Sequence, residues 1–598
     1  MTFKSLQFPR LRRLFVPVSL ALFVLFLVFS TKLFFPGAAQ TAWLSRLVPG
    51  SARDKRPSSP PPTLPELKLL GLDSITGNST ASDAQQYCND RFGPTYLTNL
   101  RDNSIEYCAA PDQDRSSRLT CFHSHVRGKG SEDSLCIAQG AVLDPSKKGF
   151  VLNCDPRAPT LEETKRGLIS FQQIRSYWYD TGPGVVFGNY VGFVDKPFKK
   201  VQDDGIATKK QQRPPISILV KREGSAHPWH SLMEIWALTH TMDVLRLSAN
   251  PDALGAPFYT PDDVARAQVV ILDDAEDGPF FNLWTITAGK KPVRLSAALD
   301  ALQHSEKPSS PDAALVAAPG QPHNIVVPLA GAANPLWQND WDERNCSDAS
   351  LVKLFVRRVL HHLGVDSFKP KPANVLQKKL RVTFVDRRGS RKLLGQERLL
   401  DAARRAYPDV QVRSVDFATL SFVEQIRLVR HETDVLVGVH GAGLTHVMFL
   451  RAASEAVGGG AIVEILPDVM NYKGFRNLAY MLGHEYFSAK AKTIPKENAD
   501  KGKDGIHKVT AGVNTGPIAG VMKNGMGKIG KQTLRQQTYK RQLEARRDLE
   551  EEEENKLLYR RGAHLEKRAD WHSADVSMGE EEFVKLVGSA IEHVRNKA

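Results

Sequence analysis

The chain has 598 residues, of which 41% are hydrophobic, 24% charged and 8% aromatic, the profile of a globular protein of several domains. Wholesale disorder, collagen-like repeats and a polytopic membrane protein are excluded. Lys and Arg outnumber Asp and Glu by 80 to 66, a formal charge of +14, and the stretch from Lys490 to Arg568 concentrates it with 19 basic against 11 acidic residues. No nucleic-acid motif accompanies that charge, so it reads as a solvated insertion.

Lys4, Arg10, Arg12 and Arg13 precede Leu14 to Thr31, which contains no charge. Eighteen helical residues reach about 27 Å, close to the thickness of a hydrocarbon core, and the basic flank belongs on the cytoplasmic side. A cleaved signal peptide would have a shorter apolar region and a clearer small-residue cleavage site than Phe34 to Gln40 provides. The expectation is a cytoplasmic tail (1–13), a transmembrane anchor (14–31) and single-pass type II topology. Pro57, Pro60, Pro61, Pro62 and Pro65 then mark a stem (32–85) that favours extended chain over a core.

Five of the six cysteines lie between Cys88 and Cys154, and the sixth is Cys346. None has the two- to four-residue gap of a zinc pair. An oxidising compartment favours disulfides, with Cys346 able to clip the cluster to later chain. The sequons at Asn78 and Asn345 agree with a secretory route.

In the expected N-terminal lobe (86–375), Ile216–Glu223 and Gln268–Asp274 are strand-like and flank a helical window at Trp229–Leu247. In the expected C-terminal lobe (376–598) the alternation is regular. Strand-like runs at 381–387, 410–417, 434–440 and 461–467 enclose helical windows at 397–407 and 421–430. Such alternation predicts βαβ units and a doubly wound, Rossmann-like parallel sheet. A charged insertion (about 491–568) carries a predicted exposed helix at 534–561.

Two turns in this lobe suit an anionic ligand. The third strand runs into His440-Gly441-Ala442-Gly443-Leu444-Thr445-His446, where glycines admit backbone amides close to a ligand and Thr445 or the histidines can donate. Spacing alone leaves a plain tight turn equally open. After the first strand, Arg387-Arg388-Gly389-Ser390-Arg391 places three guanidinium groups at the edge where open sheets bind ligands, and arginine forks match a diphosphate. Upstream, His230 and Glu234 are spaced i,i+4 on one helical face, so the carboxylate can orient the imidazole as a general base. Asp273-Asp274-Ala275-Glu276-Asp277 superficially resembles a metal site but reads better as an acidic turn.

Together, GVHGAGLTHVMFL preceded by TDVL, VDRRGSRKL, WHSLMEIWA, and CFHSH with EDSLC resemble glycosyltransferase family 61, on its branch of EGF-domain-specific O-GlcNAc transferases. The resemblance runs in patches from Cys88 to Pro467. It implies a GT-B-like arrangement, two Rossmann-like lobes facing a cleft, and an inverting transfer of GlcNAc or xylose from a UDP-sugar to a glycoprotein or glycan acceptor. Arg391 is then expected to stabilise the leaving diphosphate. Arg387, Arg388, Gly389, Ser390, the loop from His440 to His446, and Glu464 (on ribose hydroxyls) are expected to hold the donor. No divalent metal is expected, and no nucleic-acid partner. The implied location is the Golgi or endoplasmic-reticulum membrane with the enzyme lumenal. The C-terminal Arg595-Asn596-Lys597-Ala598 is not the retention tetrapeptide of some soluble relatives, which leaves retention to the anchor. The alternative is an inactive relative serving as a binding scaffold, which labelled nucleotide-sugar binding would separate.

The topology yields a first prediction. In intact microsomes the chain beyond residue 35 should resist added protease until detergent is present; digestion without detergent refutes type II insertion.

Overall fold

The computed structural model describes residues 82–108, 116–128, 131–195, 213–253, 255–303, 321–338, 340–347, 349–365, 379–451, 459–494 and 573–597. The expected tail, anchor, nearly all of the stem, Asn78 and the charged helix at 534–561 lie outside these residues. Among the described residues no helix is long and apolar enough to cross a membrane. The chain is mixed α/β, built on two sheets.

The first sheet contains β1 (Ser104–Cys108), β2 (Arg118–Ser124), β3 (Asp133–Asp144), β4 (Gly149–Leu152), β5 (Val191–Phe193), β6 (Ile216–Val220), β7 (Ala267–Ile271), β8 (Val293–Arg294) and β9 (Pro322–Val327). Its order is β1-β2-β3-β9-β6-β7-β8, with β4 paired to β3 and β5 to β4. The run β9-β6-β7-β8 is parallel. The run β1-β2-β3-β9 is antiparallel, so a hairpin layer extends a smaller parallel core.

All six cysteines pair. Cys121 and Cys136 sit directly opposite each other on β2 and β3. Cys108 joins Cys154, and Cys88 joins Cys346 across 258 residues of sequence. Cys346 thus ties the start of the described chain to the segment that precedes the second sheet.

The second sheet contains β10 (Arg381–Asp386), β11 (Gln411–Asp416), β12 (Val435–Val439), β13 (Ala461–Pro467), β14 (Glu485–Ile494) and β15 (Asp575–Ser577), in the order β11-β10-β12-β13-β14-β15. The first five are parallel, and β15 adds antiparallel at the edge. Counted from β10, the order is 2-1-3-4-5, a doubly wound sheet whose direction of winding reverses between β10 and β12. Helices Gln396–Ala406 and Phe422–Glu432 fill the expected windows, and Ser421 and Glu424 form the capping box that starts the latter. The expected insertion begins later than residue 491. β14 continues to Ile494 with Ala491 buried in the register, because Thr493 and Ile494 pair with Val576 and Asp575.

Helix Pro228–Leu247 is buried along nearly all of its length, its few charged residues Glu234, Asp243 and Arg246 included. One continuous apolar core joins its Trp229, Leu232 and Trp236 to Val385, Phe417, Leu444 and Phe449 of the second sheet's layer. The helix's buried Asp243 receives two bonds from Arg358, at 2.6 and 3.0 Å, and one from Arg246 at 3.1 Å. Removing one partner of such a group strands the other charge in the core. Asp243→Ala should therefore cost about 3–5 kcal/mol, read as a lower urea midpoint. A midpoint within error of the parent would show that Arg358 finds another partner.

Candidate active site

The loops after β10 and β12 flank the point where the second sheet changes winding direction, the place where open α/β sheets leave a crevice for ligands. Gly441, two residues after β12, has φ 154°, and a Cβ there would stand 2.0 Å from Nη1 of Arg387. Only a glycine lets this guanidinium lie against the turn. Arg387 also bonds through Nε to the Ser390 carbonyl at 3.0 Å, bracing its own loop. Arg391 adopts φ 57°, a left-handed conformation that an arginine rarely takes without a constraint. Behind Gly441, residues Ala442–Phe449 form a 3₁₀ helix.

His440 is buried and its Nδ1 lies 2.6 Å from Oε1 of Glu464, whose Oε2 accepts from the Tyr486 hydroxyl at 2.7 Å. Both Glu464 oxygens are thus engaged in a fully buried position. This corrects the expectation that Glu464 meets ribose hydroxyls. It orients His440 instead, with Nδ1 carrying the proton toward the carboxylate. Burial holds the His440 pKa below the ordinary histidine value, although Glu464 opposes the shift. Tyr472 and Phe475 pack on the same ring, with centroids at 5.0 and 5.5 Å. Asp340 hydrogen-bonds Tyr472, and burial lifts the Asp340 carboxyl to about 7.

From the first sheet, the turn after β6 and the start of helix Pro228–Leu247 supply a second wall. His227 caps that helix and is exposed as a residue. Partial desolvation of its ring lowers its pKa below the ordinary value, followed by the charges of His230, Arg391 and Arg387. Arg391 and Arg387 likewise lower the pKa of His440. The same two guanidinium groups therefore act on a histidine from each wall.

The expected His230–Glu234 pair does not form. His230 Nδ1 lies 3.2 Å from Oε2 of Glu223, and Glu223 Oε1 accepts from the Ala332 amide at 3.2 Å. Glu234 sits one layer deeper, where its Oε1 accepts from the Glu223 amide at 2.8 Å. Burial, reinforced by Glu223, raises the Glu234 carboxyl well above the usual range. Burial also raises Glu223, opposed by His230. The i,i+4 spacing puts both side chains on one helical face, but the loop carboxylate reaches the imidazole first.

The remaining expected residues divide. Arg387 lies against Gly441, whereas Gly443 faces Val385 and Phe417 of the core. Arg388 is exposed and pairs with Asp386 at 3.1 Å and Asp416 at 3.5 Å, beside an exposed Gly389. Leu444, Thr445 and His446 are core residues: Leu444 packs over Gly438, and His446 is enclosed by Phe417, Phe422 and Phe449. Burial takes the His446 pKa down to about 4, and its Nδ1 is satisfied by the Gly443 carbonyl. The acidic turn is occupied by arginines, with Arg222 gripping Asp273 and Arg294 pairing with Asp277. Sequence reasoning missed Glu223, Tyr472 and Asp340. Glu223 carried a signal, an acidic residue directly after a buried strand, whereas the other two did not.

Residues 301–457 match glycosyltransferase 61, a span that includes both the arginine and the glycine loop. The chain is 39% identical over 108 residues to the EGF domain-specific O-linked N-acetylglucosamine transferase of Rattus norvegicus, covering 18% of this chain and 19% of that protein. It is 36% identical over 129 residues to the Drosophila melanogaster protein of that name, covering 21% and 23%. Over 168 residues it is 31% identical to the one of Xenopus laevis, covering 27% and 29%. The matched stretch is thus less than a third of the length of these curated relatives. The chain carries a glycosyltransferase 61 segment, and the family resemblance drawn from its loops is borne out.

Gly441→Ala tests the turn. Its methyl group must displace the Arg387 guanidinium, and loss of one charge-assisted bond of about 1.5–3 kcal/mol should weaken binding of inorganic pyrophosphate roughly ten- to a hundredfold. Calorimetric titration with pyrophosphate reads this directly; an unaltered affinity would show that Arg387 at this turn does not hold an anion.

Proposed function

We propose that the chain is an inverting glycosyltransferase that moves GlcNAc or xylose from a UDP-sugar to a hydroxyl group of a protein. The observation that carries this reading is geometric: the Arg387 guanidinium lies against Gly441 at the turn after β12, and His230 at the start of the buried helix is paired with Glu223 at 3.2 Å. Arginines beside a glycine turn suit a diphosphate, and a histidine paired with a carboxylate suits a proton acceptor. The relatives' names supply the protein acceptor, and an EGF-like domain is the acceptor of first choice. The two walls become the facing lobes of a GT-B-like enzyme, 86–375 and 376–598. The uncharged span 14–31 anchors it in the Golgi or endoplasmic-reticulum membrane with the catalytic part lumenal.

In the proposed reaction the acceptor hydroxyl gives its proton to Nε2 of His230, while Glu223 steadies Nδ1 and balances the imidazolium charge. The acceptor oxygen bonds to the anomeric carbon as the bond from that carbon to the phosphate oxygen breaks, and UDP leaves with the electron pair. Arg391, Arg387 and the amides at Gly441 and Gly443 hold the charge that develops on it. With side-chain cations in that role, no divalent metal is required.

A panel of nucleotide-sugars offered to the full-length chain with a recombinant EGF-like domain tests the reading; glycosylation from none of them would refute it. Arg391→Ala should lower turnover by roughly a hundred- to a thousandfold. Glu223→Gln should lower it by about a hundredfold or more, whereas Glu234→Gln, which does not contact His230, should change it much less. Chelator-abolished activity restored by manganese, with Arg391→Ala nearly unaffected, would move the catalytic charge to the acidic turn.

A further inference from the structure

The turn Trp178–Asp180 is the most strained backbone near the site. Tyr179 has φ 61° and ψ 21°, and Asp180 follows with φ 52°. Two successive left-handed residues suit Asn-Gly or Gly-Gly; aspartate tolerates the conformation, but a bulky aromatic does so only under constraint. The constraint is visible. Tyr177 and Thr181 exchange backbone bonds at 3.0 and 3.4 Å across the turn. The Tyr179 carbonyl accepts from Lys221 Nζ at 3.4 Å.

The strain has a visible product. The Tyr179 ring is 50% exposed, one of few large apolar side chains so presented, and it stands edge-to-face on His230 at 5.4 Å. On its other side His230 meets His227 at 4.4 Å, and His227 lies in the field of Arg391 and Arg387. The groups are therefore linked in the order His227, His230, Tyr179, with Arg387 and Arg391 acting on His227. Trp337 also packs on His230 at 4.6 Å.

We propose that Tyr179 is the acceptor-binding residue, its strained turn holding an exposed aromatic face beside His230 for the polypeptide that flanks the accepting hydroxyl. The proposal rests on the transferase reading above and adds to it the side from which the acceptor enters. The direction follows from the order of contacts. With a diphosphate at the arginines and His230 as the proton acceptor, the exposed Tyr179 that stands on His230 offers a hydroxyl-bearing chain a contact away from the arginines. An aromatic face there binds the apolar side of a peptide, and Asp180 and Lys221 beside it can meet backbone amides and carbonyls.

The test uses the full-length chain, the UDP-sugar that supports transfer, and the recombinant EGF-like domain as acceptor. Tyr179→Gly removes the ring and accepts the left-handed backbone without strain, so its thermal midpoint should not fall. Its KM for the acceptor domain should rise on the order of tenfold while its KM for the UDP-sugar stays at the parent value. Tyr179→Phe, which keeps the ring, should match the parent in both. An unchanged acceptor KM in Tyr179→Gly, or an equal rise in both KM values, overturns the proposal. Failure of the underlying reading has a different signature: the unsubstituted chain would then transfer nothing to the domain.

Discussion

Helix Pro228–Leu247 has no solvent face, and every structural layer that touches it must bring apolar surface to meet it. Its Trp229 packs on Tyr472 and Phe475 of the second sheet's layer, with centroids at 6.2 and 5.5 Å, and its Trp236 stacks on Phe355 at 5.6 Å. The two sheets are thereby held against a common rod. Because the rod begins at the crevice, its first turn delivers His227 and His230 within reach of loops from a sheet more than a hundred residues further along. Burial also decides the chemistry of that turn. Glu234, one turn inside, cannot keep a charge without a cation, whereas Glu223 at the rim has His230.

Much of the second sheet was legible because its signals are local. Strand and helix alternate at lengths that only a parallel, doubly wound sheet accommodates, and the positions of β10 to β13 followed within a residue or two. The edge was not legible. β14 and β15 pair antiparallel across the 80 positions between Ile494 and Asp575, and no local pattern announces a partner so remote. The hairpin layer of the first sheet was hidden for a similar reason, since β3 meets β9 nearly two hundred residues away.

The candidate site divides along the same line. Arginines and glycines at strand ends could be read from spacing, because a strand's carboxyl end fixes where the next residues go. Partner choice could not. His230 has one carboxylate at i+4 and another seven residues earlier on a loop, and only the path of that loop brings Glu223 closer. Glu464 gave a partial clue. A charged residue inside an otherwise wholly apolar strand needs buried partners, yet the sequence did not reveal that His440 and Tyr486 fill that role.

The disulfide between Cys88 and Cys346 imposes an order of events on synthesis. At roughly 5–20 residues per second, its second thiol reaches the emerging chain tens of seconds after the first. Cys121–Cys136 and Cys108–Cys154, separated by 15 and 46 residues, have partners at hand almost at once. During the wait Cys88 is the odd thiol beside four others, each a potential wrong partner. Correct pairing therefore depends on the hairpin of β2 and β3 closing early enough to withdraw its cysteines from competition. The nascent chain is thus protected by kinetics before it is held by the finished cross-link.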